Sequence, residues 1–411
     1  MPLPYLYNIM EEILGIQRGV IIDETIAHYE VHAHQPYASL TFNNNDEVRI
    51  VVQNQNLYLL PSKSTLHIYG RLTKRDGATA VATTSMINMG ICFLLREIRY
   101  LLNGEEIDRI NNVGLTCAMK GYLSHSPTQM TTLENAGWLE SDENSCTDAN
   151  GYFDVSIPLS LLSGFVEDYH RIVPNCQHQL IISRTQTDAD AMLQPAAEEV
   201  KITLHKIEWM IPHIKVADQH NIQLLNYITS DPLISMSYRT WELYKYPLLP
   251  ATTKQIWAAK TSNQLEKPRY VILGFQTARR NALDKNACEF DHCNIRDVKL
   301  YLNSQCYLYG NLNIDIAHNQ YALLYEMYTN FQKSYYNRDS QPLLSKKDFL
   351  SKAPLIVVDC SMQNESLKSG PVDLRLEFES SAAFAAHTAA YCLILHDRIV
   401  NYNPISGTVR K

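Results

Sequence analysis

The sequence predicts an all-β protein built as two tandem antiparallel β-sandwiches with short helices in the inter-strand loops. Three observations carry this reading: short apolar runs punctuated by turn residues fill most of the chain, long helical periodicity is scarce, and a segment near residue 100 recurs 200 residues later. With 411 residues there is room for more than one hydrophobic core. Hydrophobic residues at 45% and charged residues at 19% exclude wholesale disorder.

The spacing of Ile9, Ile13 and Leu14 predicts a short amphipathic helix within an N-terminal arm, 1–29. The first sandwich, 30–214, has an expected strand over 47–60 that runs into Pro61, and another over 65–73 in which Leu66, Ile68 and Leu72 line up around Gly70. The run 91–102 ends at Asn103-Gly104, where both positions tolerate positive φ, so a tight hairpin and a return strand over 105–110 follow. Strands over 152–159, 178–184 and 200–212 complete this half. After a linker, 215–223, the second sandwich, 224–411, has strand signals at 233–246, 270–277, 294–302, 355–360, 372–378 and 389–399.

The repeat ties the halves together. Arg96-Glu97-Ile98-Arg99-Tyr100-Leu101-Leu102-Asn103 lies over Arg296-Asp297-Val298-Lys299-Leu300-Tyr301-Leu302-Asn303, with identical Arg, Leu and Asn and conservative exchanges between. After each window a helical spacing of i, i+3, i+4, i+7 appears, as Leu115, Ala118, Met119 and Tyr122 and then as Tyr321, Leu324, Tyr325 and Tyr328. Leu204-His205-Lys206 and Leu395-His396-Asp397 fall in comparable late strands.

Composition narrows the function. Lys plus Arg number 36 and Asp plus Glu 43, and the net charge of −7 argues against a surface that embraces nucleic acid as a whole. The basic pairs Lys74-Arg75, Arg279-Arg280 and Lys346-Lys347 are scattered, so any nucleic-acid contact is expected to be non-specific. The longest apolar stretches fall far short of the roughly 20 residues of a membrane span. The start, Met1-Pro2-Leu3-Pro4-Tyr5, has neither the basic nor the apolar segment of a secretory signal, which leads us to expect residence in a reducing compartment. Nine cysteines, an odd set lying mostly in apolar runs, then read as buried free thiols.

No catalytic residue or cofactor site emerges. The 15 glycines contain no Gly-x-Gly, and neither a phosphate loop nor a nucleophile elbow is present. Cys288-Glu289-Phe290-Asp291-His292-Cys293 crowds potential zinc ligands but lacks a second local pair, and reads as a turn. His28, His32 and His34 share one face of an extended segment, where neighbours about 7 Å apart converge poorly on one ion. Asp188, Asp190, Glu198 and Glu199 lack the glycine of a compact calcium loop. We therefore expect no metal. The 25 tyrosines point instead to packing and interfaces, and the candidate subunit-contact residues are Leu115, Met119, Tyr122, Tyr321, Tyr325, Tyr328, Tyr335 and Tyr336.

A set of phrases carries a family resemblance. These are Phe42-Asn43-Asn44-Asn45-Asp46-Glu47-Val48-Arg49-Ile50 with Leu60-Pro61-Ser62-Lys63-Ser64, and Phe153-Asp154-Val155-Ser156-Ile157-Pro158-Leu159 with Gly164-Phe165-Val166-Glu167-Asp168. The third is Ala389-Ala390-Tyr391-Cys392-Leu393-Ile394-Leu395-His396-Asp397-Arg398. From about Tyr37 to the C-terminus, the chain resembles the double jelly-roll proteins related to the major capsid proteins of polinton-like and adintovirus-like elements, as found in insect and nematode genomes. The resemblance implies two jelly rolls and a non-enzymatic subunit. It also implies self-assembly into pseudo-hexameric homotrimers of a shell, with other capsid proteins such as a penton as partners and the virion as location. A domesticated copy would instead be a non-capsid scaffold in cytoplasm or nucleus. The competing expectation, a glycan- or peptide-binding tandem sandwich, requires a deep polar and aromatic cleft between the halves.

Overall fold

The computed structural model describes residues 25–37, 42–53, 57–80, 84–139, 146–194, 199–261, 267–303, 305–308, 310–362 and 372–411. The expected helix around Ile9, Ile13 and Leu14 lies outside the described residues.

The first half contributes β1 (Ile26–His34), β2 (Glu47–Val52), β3 (Tyr58–Leu59), β4 (Thr65–Lys74), β5 (Ser85–Met86) and β6 (Leu95–Leu102). It continues with β7 (Glu105–Asn111), β8 (Tyr152–Pro158), β9 (His178–Arg184), β10 (Met192–Leu193) and β11 (Val200–Val216). The second half contributes β12 (Ile234–Tyr246), β13 (Lys254–Thr261), β14 (Lys267–Thr277), β15 (Ile295–Leu302) and β16 (Gln305–Tyr307). β17 (Ile356–Asp359), β18 (Asp373–Ser380), β19 (Thr388–Tyr402) and β20 (Val409–Arg410) follow.

Two sheets form each half. In the first, β1-β11-β4-β8 is one sheet and β2-β9-β6-β7 the other; in the second, β12-β19-β14-β17 and β13-β18-β15-β16 repeat the plan. Numbering the eight main strands of each half in chain order gives the same two sheets twice, 1-8-3-6 and 2-7-4-5, with every neighbour antiparallel. This interleaving of early and late strands is the jelly-roll topology. The duplicated segments occupy equivalent places, because β6 and β15 are both the fourth strand of their half. Each enters a tight turn whose asparagine takes positive φ, Asn103 at 49° and Asn303 at 53°.

Alternation builds the cores. In β4 every second residue from Leu66 to Leu72 is buried, and Trp209 and Ile207 of β11 stand opposite Leu66 and Ile68 on the neighbouring strand. The helices Val113–Ser124 and Ala322–Tyr336 follow the two hairpins, as the repeated i, i+3, i+4, i+7 spacing predicts.

Several boundaries differ from the sequence reading. The predicted strand 91–102 starts only at Leu95, because Met89 turns the chain with φ 54° into a helical turn, Gly90–Phe93, that buries Ile91 and Phe93. The predicted strand 47–60 is two strands, β2 and β3. β13 was not anticipated, since Lys-Gln-Ile-Trp-Ala-Ala-Lys-Thr has too few apolar positions to signal a strand. The expected linker 215–223 holds the end of β11 and the start of a helix, Asp218–Thr229, whose polar sequence buries only Ile228.

Candidate functional site

A network of buried polar side chains lies where the two sandwiches meet. Short helices Leu159–Leu162 and Gly164–Asp168, which follow β8, approach β12 so closely that Gly164 would place a Cβ 1.9 Å from the carbonyl oxygen of Arg239. Only glycine fits there. Asp168 receives Arg239 through a bidentate pair, Nε to Oδ2 at 2.9 Å and Nη2 to Oδ1 at 2.6 Å, and also accepts the Arg239 backbone N–H. Burial disfavours the guanidinium's charge, but its hydrogen bonds to Asp168 together with the surrounding charges of Tyr335, Asp168 and Glu167 outweigh it and raise the Arg239 pKa.

Two further carboxylates complete the junction. Asp108 of β7 is buried and accepts from Ser163 Oγ (2.6 Å), Phe165 N (3.1 Å) and, across the junction, Thr240 Oγ1 (2.8 Å). Glu167 pairs with the buried Lys120 (2.8 Å), which also donates to the Ser160 carbonyl (2.7 Å) and lies 5.0 Å from the centre of the Trp241 ring. Such satisfied buried polar groups dictate one relative orientation of the halves, because any slippage leaves a desolvated charge without its partner.

The proposed subunit-contact tyrosines are found here, inside one chain. Tyr328 donates to the Tyr122 carbonyl (2.9 Å), and the Tyr336 hydroxyl lies 2.9 Å from Ser124 Oγ and 2.7 Å from Glu167 Oε1. Tyr335 stacks on Phe331 and meets Trp241 edge to face. Met119, Tyr122, Tyr321, Tyr328 and Tyr335 are buried, and Leu115, Tyr325 and Tyr336 partly so. Tyr328 and Tyr336 thus join the two lobes within the chain, while Tyr321 and Tyr325 bond the Lys346 and Leu344 carbonyls of their own half. His125, packed on Trp138 between the same elements, is driven down to about 3 by burial and then by Lys120 and Arg338.

The sequence reading missed Asp108, Lys120, Ser163, Arg239 and Thr240. Charges on an apolar helix and strand were the available signal: Lys120 is the one basic residue in the apolar helix Val113–Ser124.

The surface differs between the halves. β1 leaves Ile26, Tyr29 and Val31 between 41% and 50% exposed, whereas Met236, Tyr238 and Trp241 of β12 are buried. In the second half, Met362 beyond β17 is 97% exposed, and β16 is exposed at Gln305 and half-buried at Cys306 and Tyr307.

A cleft between the halves, lined by Phe93, Asp190, Lys245, Arg280 and Tyr391 among others, has a volume of about 250 Å³. It falls below the roughly 300–1,000 Å³ of small-molecule sites and has little aromatic lining. Burial, then Arg280, brings Lys245 down to about 8.

The polar clusters weighed from sequence separate as follows. Cys288 is buried 3.6 Å from the Tyr122 hydroxyl, while Arg279 takes Asp291 (2.8 Å) and Glu289 (3.0 Å). Asp188 binds Arg184, Asp190 accepts from Asn281, and Glu199 pairs with Arg75; Glu198 lies outside the described residues. The strand histidines behave differently from expectation: His32 and His34 are joined by His213 of β11, and one ring nitrogen of each lies within 4.8 Å of the other two.

Comparison with known proteins accords with this architecture. No curated protein sequence matches the chain. Among solved structures, a chain of the Sputnik virophage superposes with a TM-score of 0.63 at 10% identity, covering 100% of this chain and 92% of that one. The PBCV-1 virus capsid gives 0.58 at 10% identity over 96% and 98%, and the mavirus major capsid protein 0.55 at 11% over 100% and 94%. At such identities the likeness is one of fold. The family model for the double jelly roll-like domain matches residues 84–400, more than three quarters of the chain, and the protein belongs to that family.

Proposed function

We propose that the chain is a non-enzymatic, major capsid-like subunit that assembles with copies of itself into pseudo-hexameric homotrimers and, through them, a shell. The observation that carries this reading is the inequality of two equivalent strands. β12 is covered in the chain by β7 and the Gly164–Asp168 helix of the first lobe, with Tyr238 donating to the Ile107 carbonyl and Thr240 to Asp108. β1 holds the same place in its own sandwich but keeps its apolar outer side open to solvent. β16 holds the place of β7, and Met362 follows β17 as the helix follows β8.

Repeating the in-chain contact between chains therefore sets β1 of one subunit against β16 and Met362 of the next. Each such step turns the direction of the lobes by the same amount, and three subunits with two lobes each close a near-hexagonal ring through heterologous contacts. A permanent contact of this kind buries well above about 1,000 Å². The names of the structural neighbours, a virophage, a virus capsid and a major capsid protein, support the same assignment. On this reading the protein resides in the virion beside other capsid components such as a penton, and its net charge of −7 restricts genome contact to non-specific patches.

Light scattering with electron microscopy tests the proposal. Three chains of 47.0 kDa give about 141 kDa, and six-lobed rings or closed shells are expected. A monomer persisting at high protein concentration would reassign the chain as a scaffold that builds no particle.

A further inference from the structure

We propose that His32, His34 and His213 form a binding site for a borderline divalent transition-metal ion, Zn2+ foremost, that clamps β1 to β11. The topology makes the site. β1 pairs antiparallel with β11 so that Glu30 stands opposite His213, His32 opposite Ile211 and His34 opposite Trp209, which puts the three imidazoles on one face of two neighbouring strands. His34 and His213 bring their Nε2 atoms to 3.0 Å, and the His32 ring lies parallel to His213 with centroids 4.2 Å apart.

Three imidazole ligands around Zn2+, at about 2.0–2.1 Å each, require nitrogens roughly 3.3 Å apart in tetrahedral geometry. One pair is already near that spacing, and the side chains of His32 and His34 are only half-buried, so rotation about their χ angles brings the third into place. The second shell is also present. His32 Nε2 donates to Glu30 Oε1 at 2.6 Å, the carboxylate–imidazole arrangement that orients metal-binding histidines. Three imidazole nitrogens suit zinc, copper or nickel and not calcium or magnesium, whose ligands are oxygens.

The half-exposed side of the cluster leaves a fourth position for water. As β1 is an edge strand held by β11 alone in its sheet, an ion bridging the two strands fastens the strand on which the proposed chain-to-chain contact depends. The site itself does not rest on the capsid reading.

The test is calorimetric titration of the untagged full chain with Zn2+, repeated with Co2+ to read its visible absorption. One equivalent per chain is expected, with a four-coordinate Co2+ spectrum free of thiolate charge-transfer bands. Glu30→Gln should weaken binding roughly tenfold and His34→Gln more than that, both with unchanged melting of the metal-free protein. Zinc should also slow hydrogen exchange across β1 in the parent protein but not in His34→Gln. Failure to take up metal, uptake that His34→Gln leaves unchanged, a thiolate signature, or saturation without added protection of β1 would each overturn the proposal.

Discussion

Strands β1 and β12 open the two sandwiches in the same position, paired to the last long strand of their half, yet one leaves large apolar side chains exposed and the other is covered by the first lobe. Tyr238, Arg239 and Thr240 of β12 bond to Ile107, Asp168 and Asp108 of the first lobe, while Ile26, Tyr29 and Val31 of β1 face outward. The difference does not come from the strands' topology, which is shared. On the β12 side the partner is supplied by β7 and the Gly164–Asp168 helix of the first lobe. On the proposed reading, the contact between β12 and the first lobe is the internal copy of the assembly contact, and β1 and β16 are its unmatched halves.

The comparison is broken most severely at Gly164. Any side chain there meets the Arg239 backbone, so Gly164→Val should remove about 3 kcal/mol or more and lower the first transition in urea denaturation. Gly104→Ala, in open space at φ +85°, should lose only about 1 kcal/mol. Next in size, Asp168→Ala and Arg239→Ala should each destabilise by about 2 kcal/mol, discounted for partial exposure, with the double variant well short of their sum.

Acid sharpens the contrast through two buried histidines. His125 is driven to about 3, mainly by burial; His178, which bonds Tyr100 at 2.7 Å, is driven to about 4, also by burial. Both stay neutral in the folded state while the unfolded chain protonates near 6.5, so stability falls as pH drops below 6.5 and continues to fall towards 4. Each histidine contributes about 1.4 kcal/mol per pH unit in that window. Hydrogen exchange at pH 5.5 should rise first in β9 and the Val113–Ser124 helix. The smallest effect on folding is expected at the bare strand: Val31→Lys should shift monomer stability by less than about 0.5 kcal/mol, while light scattering shows loss of the trimer.

Much of this was legible in the sequence. The 200-residue repeat located β6 and β15 on equivalent strands, and Asn103-Gly104 marked its hairpin. The junction was half-legible: Gly164-Phe165-Val166-Glu167-Asp168 stood out as a phrase, but nothing in one dimension pairs Asp168 with Arg239, 71 residues away. A helical stripe such as Tyr321, Leu324, Tyr325 and Tyr328 shows that a face is covered without showing what covers it. His213 escaped the histidine reading because local spacing on β1 alone spreads the rings apart. The third ligand comes from the partner strand, 179 residues on from His34.

A cryo-EM reconstruction of the purified oligomer tests the central claim most directly. Three-fold symmetry and six lobes are expected, with β1 packed on β16 and Met362 of the adjacent subunit at the place where β12 meets β7 and the Gly164–Asp168 helix within the chain. A two-fold dimer, or a trimer that leaves the outer side of β1 in solvent, would contradict it.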